Sequence, residues 1–83
     1  MIVPIGMITQ TITTSRNLGD LIRDERKAQG LTQEQLAGLT GVGVRFVREL
    51  EAGKESCQLG RALQVAAALG LSLSVSSRRE TTR

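Results

Sequence analysis

The sequence predicts an all-α domain of four to five short helices, followed by a short C-terminal β-strand. Two observations support this prediction. Apolar residues recur at helical spacing in four segments, and a glycine follows each of them. After the last of these glycines, Gly70, strict alternation over residues 71–76 has the period of a half-buried strand.

The first helix is predicted over residues 15–29. Ser15 or Asn17 can cap its start, and Gly30 ends it. The positions that recur at helical spacing are Leu18, Leu21, Ile22 and Ala28.

The second helix is predicted over residues 33–39. Thr32 is its N-cap and Gln35 stands three residues later, so the two side chains can form a capping box. Its candidate core residues are Leu36, Ala37 and Leu39.

The third helix is predicted over residues 44–52, after a tight turn at residues 41–43. Val47 and Leu50 lie three positions apart and face the core, and Gly53 ends the helix.

The fourth helix is predicted over residues 58–69 and ends at Gly70. Gly60 inside it disfavours the helix slightly. The spacing assigns its core face to Leu59, Leu63, Ala66 and Leu69.

The strand is predicted over residues 71–77, with Leu71, Leu73 and Val75 on one face. A weaker alternation lies at residues 8–13, inside an N-terminal extension over residues 1–14. Because an isolated strand is unstable, the two strands pair within one chain, the C-terminal strand pairs with its copy in a dimer, or it covers the core of one monomer. Residues 78–83 are expected to form a flexible tail.

Composition and charge limit the classes of function that the chain can have. The 83 residues carry a net charge of +3, which favours a polyanionic partner or simply keeps a small protein soluble. The single cysteine, Cys57, and the absence of histidine argue against a disulfide, a zinc site and an enzyme, so no metal or cofactor is expected. The apolar opening is too short and too interrupted for a membrane anchor or signal peptide, and we expect a cytoplasmic protein.

The second and third helices, joined by a glycine-containing turn, match the helix-turn-helix pattern. In that arrangement the first helix of the pair points its positive N-terminal end at the DNA backbone, and the second lies in the major groove. The residues resemble the Cro/repressor (Xre) family, whose members share the lambda-repressor-like fold, over about residues 18–70. The matching positions are Arg26, Gly30, Leu31, Thr32-Gln33-x-x-Leu36-Ala37, Gly41-Val42, Val47, Leu50-Glu51-x-Gly53-Lys54 and Leu69-Gly70.

The resemblance implies a DNA-binding domain over residues 15–70, with base contacts and backbone contacts. The base contacts are expected at Gln33, Val44, Arg45 and Glu49. Arg45 suits guanine, Val44 a thymine methyl group and Glu49 a cytosine amino group. Each of these residues also has a second interpretation. Arg45 and Arg48 are then solvated charges on an exposed helix, Glu49 faces the solvent or pairs with an arginine, and Gln33 only starts its helix.

The expected backbone contacts are Thr32, Gly43, Arg48 and Lys54. Gly43 replaces a Ser or Thr N-cap, so one contact seen in the family is expected to be missing. Arg26 and Glu51 resemble the pair that ties the first helix to the end of the third. Phe46 departs from the family pattern, and packing is favoured over a position beside the DNA.

The ending Leu-Gly-Leu-x-Leu-x-Val over residues 69–75 resembles the HipB-type antitoxins of this family. That resemblance implies a homodimer on a palindromic operator in double-stranded DNA, repression of its own operon, and a HipA-like kinase toxin as partner. Two alternatives are a stand-alone Xre-type regulator and an interaction module with little specific DNA binding.

Overall fold

A computed structural model describes residues 10–79, and they form four α-helices. The prediction of an all-α domain is confirmed, with four helices in these residues. The helices are α1 (Ser15–Ala28), α2 (Gln33–Thr40), α3 (Val44–Glu51) and α4 (Leu59–Ala68).

The start of α1 differs by one residue from the predicted cap. Thr14, rather than Ser15 or Asn17, is the N-cap, because its backbone is still extended. Its hydroxyl accepts a hydrogen bond from the backbone N–H of Asn17 (3.0 Å), and the Asn17 side chain accepts one from the backbone N–H of Thr14 (3.2 Å). This reciprocal pair is a capping box with asparagine in the third position.

The two helices of the helix-turn-helix pair begin differently. Thr32 and Gln35 form the predicted capping box at the start of α2, with distances of 3.0 and 2.9 Å. Gly41 ends α2 with a positive φ of 77°, a conformation that favours glycine. Gly43 precedes α3 without any side-chain cap, as expected from its lack of a side chain.

The core lies between all four helices and consists of aliphatic side chains. Phe46 packs against it and is half-buried, which agrees with the packing interpretation. The buried members of the core are Ile22, Leu36, Ala37, Val42, Val47, Leu50, Ala62, Val65 and Leu69.

Gly19 in the first half of α1 allows a close approach to α3. A Cβ atom at this position would lie 2.9 Å from the carbonyl oxygen of Glu51, and closer still to that of Leu50. Since these are backbone atoms, they cannot turn away as a flexible side chain would. Only glycine fits here without moving one helix.

The predicted core face of α4 is wrong in part. Leu59 and Leu63 are 68% and 44% exposed, and α4 instead buries Ala62 and Val65 beside the predicted Ala66 and Leu69. Apolar residues occur on both sides of this helix, so periodicity alone could not choose between them. The face with the smaller side chains packs inward, where small residues permit a close approach. Leu39 of α2, another predicted core residue, is 66% exposed.

The predicted C-terminal strand is not formed within residues 10–79. Residues 71–79 have no regular secondary structure, and neither do residues 10–13. A strand needs backbone hydrogen bonds from a neighbour, and the described part of this single chain supplies none. Leu71 is half-buried against the core, whereas Leu73 is 41% and Val75 fully exposed. The rest of the predicted extension and tail, residues 1–9 and 80–83, lies outside the described residues.

Each helix in residues 10–79 is too short or too polar to cross a lipid bilayer.

Candidate nucleic-acid interface

The outer face of α3 carries charged side chains that point away from the core. The side chains of Arg45 and Arg48 are 89% and 56% exposed, and that of Glu49 is 32% exposed. They lie on the side of α3 opposite to Val47 and Leu50, which are buried. The predicted reading helix therefore presents two arginines and one carboxylate to the solvent.

Glu49 holds two of the predicted DNA contacts together. Its carboxylate accepts a hydrogen bond from Arg45 Nε (3.3 Å) and lies 3.2 Å from Lys54 Nζ. The Lys54 hydrogen bond is the largest cause that lowers the pKa of Glu49 below its ordinary value, and Arg45 adds to it. In the free protein Glu49 is thus an anionic partner of both cations, which corresponds to the second interpretation of this residue.

Arg26 and Glu51 form a buried ion pair between α1 and the last residue of α3. Arg26 Nε donates to Glu51 Oε2 at 2.6 Å and Arg26 Nη2 donates to Oε1 at 3.0 Å. The remaining guanidinium nitrogen, Nη1, donates to the carbonyl oxygen of Leu31 at 2.8 Å. Hydrogen bonding to Glu51 raises the pKa of Arg26, so the guanidinium stays charged although it is buried. The pair brings the family positions Arg26 and Glu51 together.

Gln33, the first residue of α2, is joined to this pair. Its Nε2 donates to Glu51 Oε1 at 3.0 Å, and its Oε1 accepts from Arg48 Nε at 3.4 Å. Arg48 also lies 3.3 Å from a carboxylate oxygen of Glu34. Gln33 therefore lies between a buried carboxylate and an exposed arginine.

The other predicted contacts have structural roles in the free protein. The hydroxyl of Thr32 accepts the capping hydrogen bond from Gln35. Val44 is half-buried against the core, and Gly43 begins α3 without a side chain. Of the three, only Thr32 has a polar side chain, and the exposed Gly43 can offer DNA its backbone N–H alone.

An open cleft of about 500 Å³ lies where the C-terminal half of α1 meets the start of α2 and the end of α3. Gln33 and Arg48 line it, together with Arg23 and Lys27 of α1. Both α1 residues are cationic and stand four positions apart in the sequence. Such spacing places them on one side of α1, but their nearness to Gln33 depends on how α1 packs.

These groups suit a polyanion better than a small neutral ligand. The first turn of α2 carries a partial positive charge, and the cations around it can donate to phosphate oxygens. Arg45 on α3 can in addition donate two parallel hydrogen bonds to one guanine base.

Comparison with known proteins agrees with this arrangement. Residues 22–75 match the family model described as helix-turn-helix, which is more than half of the chain. The chain is 46% identical over 68 residues to an uncharacterised HTH-type transcriptional regulator, y4mF, of Sinorhizobium fredii, with 82% of this chain and 90% of the relative covered.

Solved structures show the same fold. The controller protein C.AhdI of an Aeromonas hydrophila restriction-modification system has a TM-score of 0.63 and 34% identity, covering 70% of this chain and 88% of its own. A chain in the HipA-HipB-O2-O3 complex has a TM-score of 0.77 at 21% identity, covering 86% of this chain and all of its own. The chain belongs to the Xre-type helix-turn-helix family of DNA-binding transcriptional regulators and has a HipB-like fold.

Proposed function

We propose that this protein is a sequence-specific repressor that binds a palindromic operator through α2 and α3. The observation that carries the proposal is Arg45, whose side chain is 89% exposed on the outer face of the second helix of the pair. Arg48 and Lys54 both follow it in the sequence and serve as backbone contacts. Thr32 and Gln33 anchor the start of α2.

Substitution separates the base-reading role from the backbone role. Arg45→Ala removes the bidentate donor, so we expect it to cost about 1–3 kcal/mol on the preferred duplex and to relax the preference at one base position. Lys54→Ala removes a phosphate contact, so it is expected to weaken binding to all duplexes alike. The slope of log affinity against log salt concentration should become shallower by about one. Fluorescence anisotropy with the DNA upstream of its own gene and a scrambled duplex, over a salt series, measures both effects.

Two outcomes would contradict this assignment. If the upstream duplex binds no tighter than the scrambled one at every salt concentration, the repressor proposal fails and an interaction module remains. If Arg45→Ala and Lys54→Ala have the same profile across duplexes, the division into reading and backbone contacts is wrong.

The homodimer is part of this proposal, since one helix reads too few base pairs for useful specificity. Two apolar surfaces of the monomer are available to a second copy of this chain. Leu59 and Leu63 lie one turn apart on the exposed side of α4. Leu73 and Val75 are exposed in the segment predicted as a strand, residues 71–77. Alternation over residues 71–76 suits a strand that pairs with the same strand of the copy, which would supply the missing hydrogen bonds.

Sedimentation of full-length variants tests which surface is used. Leu73→Asp with Val75→Asp is expected to produce monomers if residues 71–77 of the two copies pair. The fold should remain, because both residues lie outside the core. Truncation after Gly70 is less suitable, since it also removes the half-buried Leu71. If the tail variant remains a dimer, the shared strand is refuted, and Leu59→Gln with Leu63→Gln then tests the α4 surface.

We infer a second function as the antitoxin of a HipA-like kinase toxin. The support is the Leu-Gly-Leu-x-Leu-x-Val pattern over residues 69–75 and the fold shared with a chain of the HipA-HipB-O2-O3 complex. At 21% identity that likeness concerns the fold, and the toxin is our proposal. Where a kinase-like reading frame adjoins the gene, its expression alone should stop growth and co-expression of this chain should restore it. Unchanged growth arrest, with both proteins soluble, would contradict the antitoxin function.

A further inference from the structure

We propose that Glu51 is a positioning residue for DNA binding, because its buried carboxylate fixes the orientation of the Gln33 side chain. Glu51 thus has a role beyond the ion pair with Arg26. The inference rests on the proposed function, in which Gln33 contacts the DNA.

The carboxylate of Glu51 can serve both partners at once. Glu51 is only 3% exposed, and Arg26 approaches it edge-on, with Nε on Oε2 and Nη2 on Oε1. Oε1 has a second lone pair, which accepts the hydrogen bond from Gln33 Nε2 at 3.0 Å. The ion pair therefore leaves room for the glutamine, and all three side chains form one cluster.

Chemistry selects one orientation of the Gln33 amide. A carboxylate only accepts hydrogen bonds, so the NH₂ group must face Glu51, and the carbonyl oxygen then faces the guanidinium of Arg48 at 3.4 Å. A flipped amide would place two oxygen atoms against each other and two donors against each other. The second hydrogen on Nε2 is the donor that we assign to a phosphate oxygen.

The same cluster also aligns the start of α2. Arg26 Nη1 donates to the carbonyl oxygen of Leu31, one residue before the N-cap Thr32. The end of α1, the first turn of α2 and the end of α3 are thus joined by hydrogen bonds to two side chains. An apolar pair could hold these helices together equally well, but it would offer Gln33 no acceptor.

The benefit for binding is entropic. A glutamine on a helix surface samples several rotamers, and ordering it when DNA binds costs affinity. In this protein folding has already ordered the side chain. Loss of the Glu51 acceptor should therefore weaken DNA binding by about 2- to 12-fold, the equivalent of ordering one long side chain on binding.

A variant that keeps the fold makes this testable. Glu51→Ala alone leaves Arg26 buried without a partner and can unfold the protein, so the main variant is Arg26→Met with Glu51→Met. Replacement of a buried ion pair by apolar residues of similar volume is often neutral for stability. The net charge is unchanged, so long-range attraction to DNA is unchanged too. Arg26→Lys is the matched control, since it disturbs the pair but leaves the acceptor of Gln33.

The experiment is a double-mutant cycle on DNA affinity. The probe is a duplex selected from a pool randomised over about 20 base pairs, enough for two half-sites one helical turn apart. Affinities are measured by anisotropy at a temperature where circular dichroism shows each variant folded. We expect Gln33→Ala to cost about 2- to 12-fold less in the double-methionine background than in the natural protein, and the same amount in Arg26→Lys.

Three outcomes have distinct meanings. An equal cost of Gln33→Ala in the natural protein and in the double-methionine background would overturn the positioning role of Glu51. No cost of Gln33→Ala in the natural protein would overturn it as well, since Gln33 would then have no contact to position. If the pool yields no duplex that binds better than random DNA, the proposed repressor function itself fails.

Discussion

The contact between α1 and α3 and the outer face of α4 differ in nearly every property that decides packing. Between α1 and α3, Gly19 lies against the backbone of α3, and the buried Arg26–Glu51 pair crosses the same contact. On α4, Leu59 and Leu63 are exposed, and a Cβ at Gly60 would meet nothing within 4 Å. The difference indicates that one chain completes the first region, whereas the second leaves apolar side chains exposed in the monomer. Substitutions should therefore destabilise the monomer in the first region, whereas the monomer should tolerate them in the second.

The largest effect is expected at the buried ion pair. Glu51→Ala removes one partner and leaves the Arg26 guanidinium, whose side chain is 10% exposed, without a countercharge. Breaking a buried pair in this way typically costs about 3–5 kcal/mol of unfolding free energy. Urea denaturation followed by circular dichroism measures the loss. Glu34→Ala is the control, because its ion pair with Arg48 is exposed and should be worth less than about 1 kcal/mol. Similar small losses for both variants would mean that α1 and α3 separate easily enough to hydrate Arg26.

Adding one methyl group should change the stability of the protein in opposite directions in the two regions. Gly19→Ala pushes α1 away from the carbonyl groups of Leu50 and Glu51, and such overpacking typically costs about 1–3 kcal/mol. Gly60→Ala meets no atom and improves the helix propensity of α4, so it should stabilise the protein by about 0.5–1 kcal/mol. Thermal unfolding of both variants gives the two signs. A stabilising Gly19→Ala would show that the close approach of α1 and α3 is not required.

The smallest effect concerns the exposed charges on the outer face of α3 and just beyond its end. In the folded protein, Lys54 first and then Arg45 lower the pKa of Glu49, so the folded state favours the charged carboxylate. This contribution to stability is present above the pKa of the unfolded chain and disappears as the pH falls through the lower pKa of the folded protein. Carbon-detected NMR of the Glu49 carboxyl should show a midpoint below that of an ordinary glutamate. Lys54→Ala should raise it, and an unchanged midpoint would mean that the pairing does not persist in solution.

Local features of the fold could be predicted because neighbouring residues determine them. Thr32 and Gln35 form the capping box from positions three residues apart. A glycine is the C-cap of α2 and stands one residue beyond the C-cap of each of the other three helices. The family pattern also indicated that Arg26 and Glu51 would meet, although they lie 25 residues apart. None of these predictions required the relative position of two helices to be calculated.

Other features escaped prediction because they depend on distances between helices. Gly19 resembles any helix-weakening glycine until the carbonyl groups of α3 are placed against it. The hydrogen bond from Gln33 to Glu51 joins two residues that are 18 positions apart, and no local pattern in α2 or α3 predicts it. Arg23 and Lys27 likewise become part of the cleft only when α1 lies beside the start of α2.

The sequence by itself determined where the four helices lie, how two of them are capped or left uncapped, and which pair forms the helix-turn-helix unit. These properties follow from hydrogen bonds and apolar spacing within a few residues. Only the tertiary structure decided which side of α4 is buried, and whether residues 71–77 form a strand. Both depend on partners, since a helix with two apolar sides buries the one that fits its neighbours, and a strand forms only where another strand completes its hydrogen bonds.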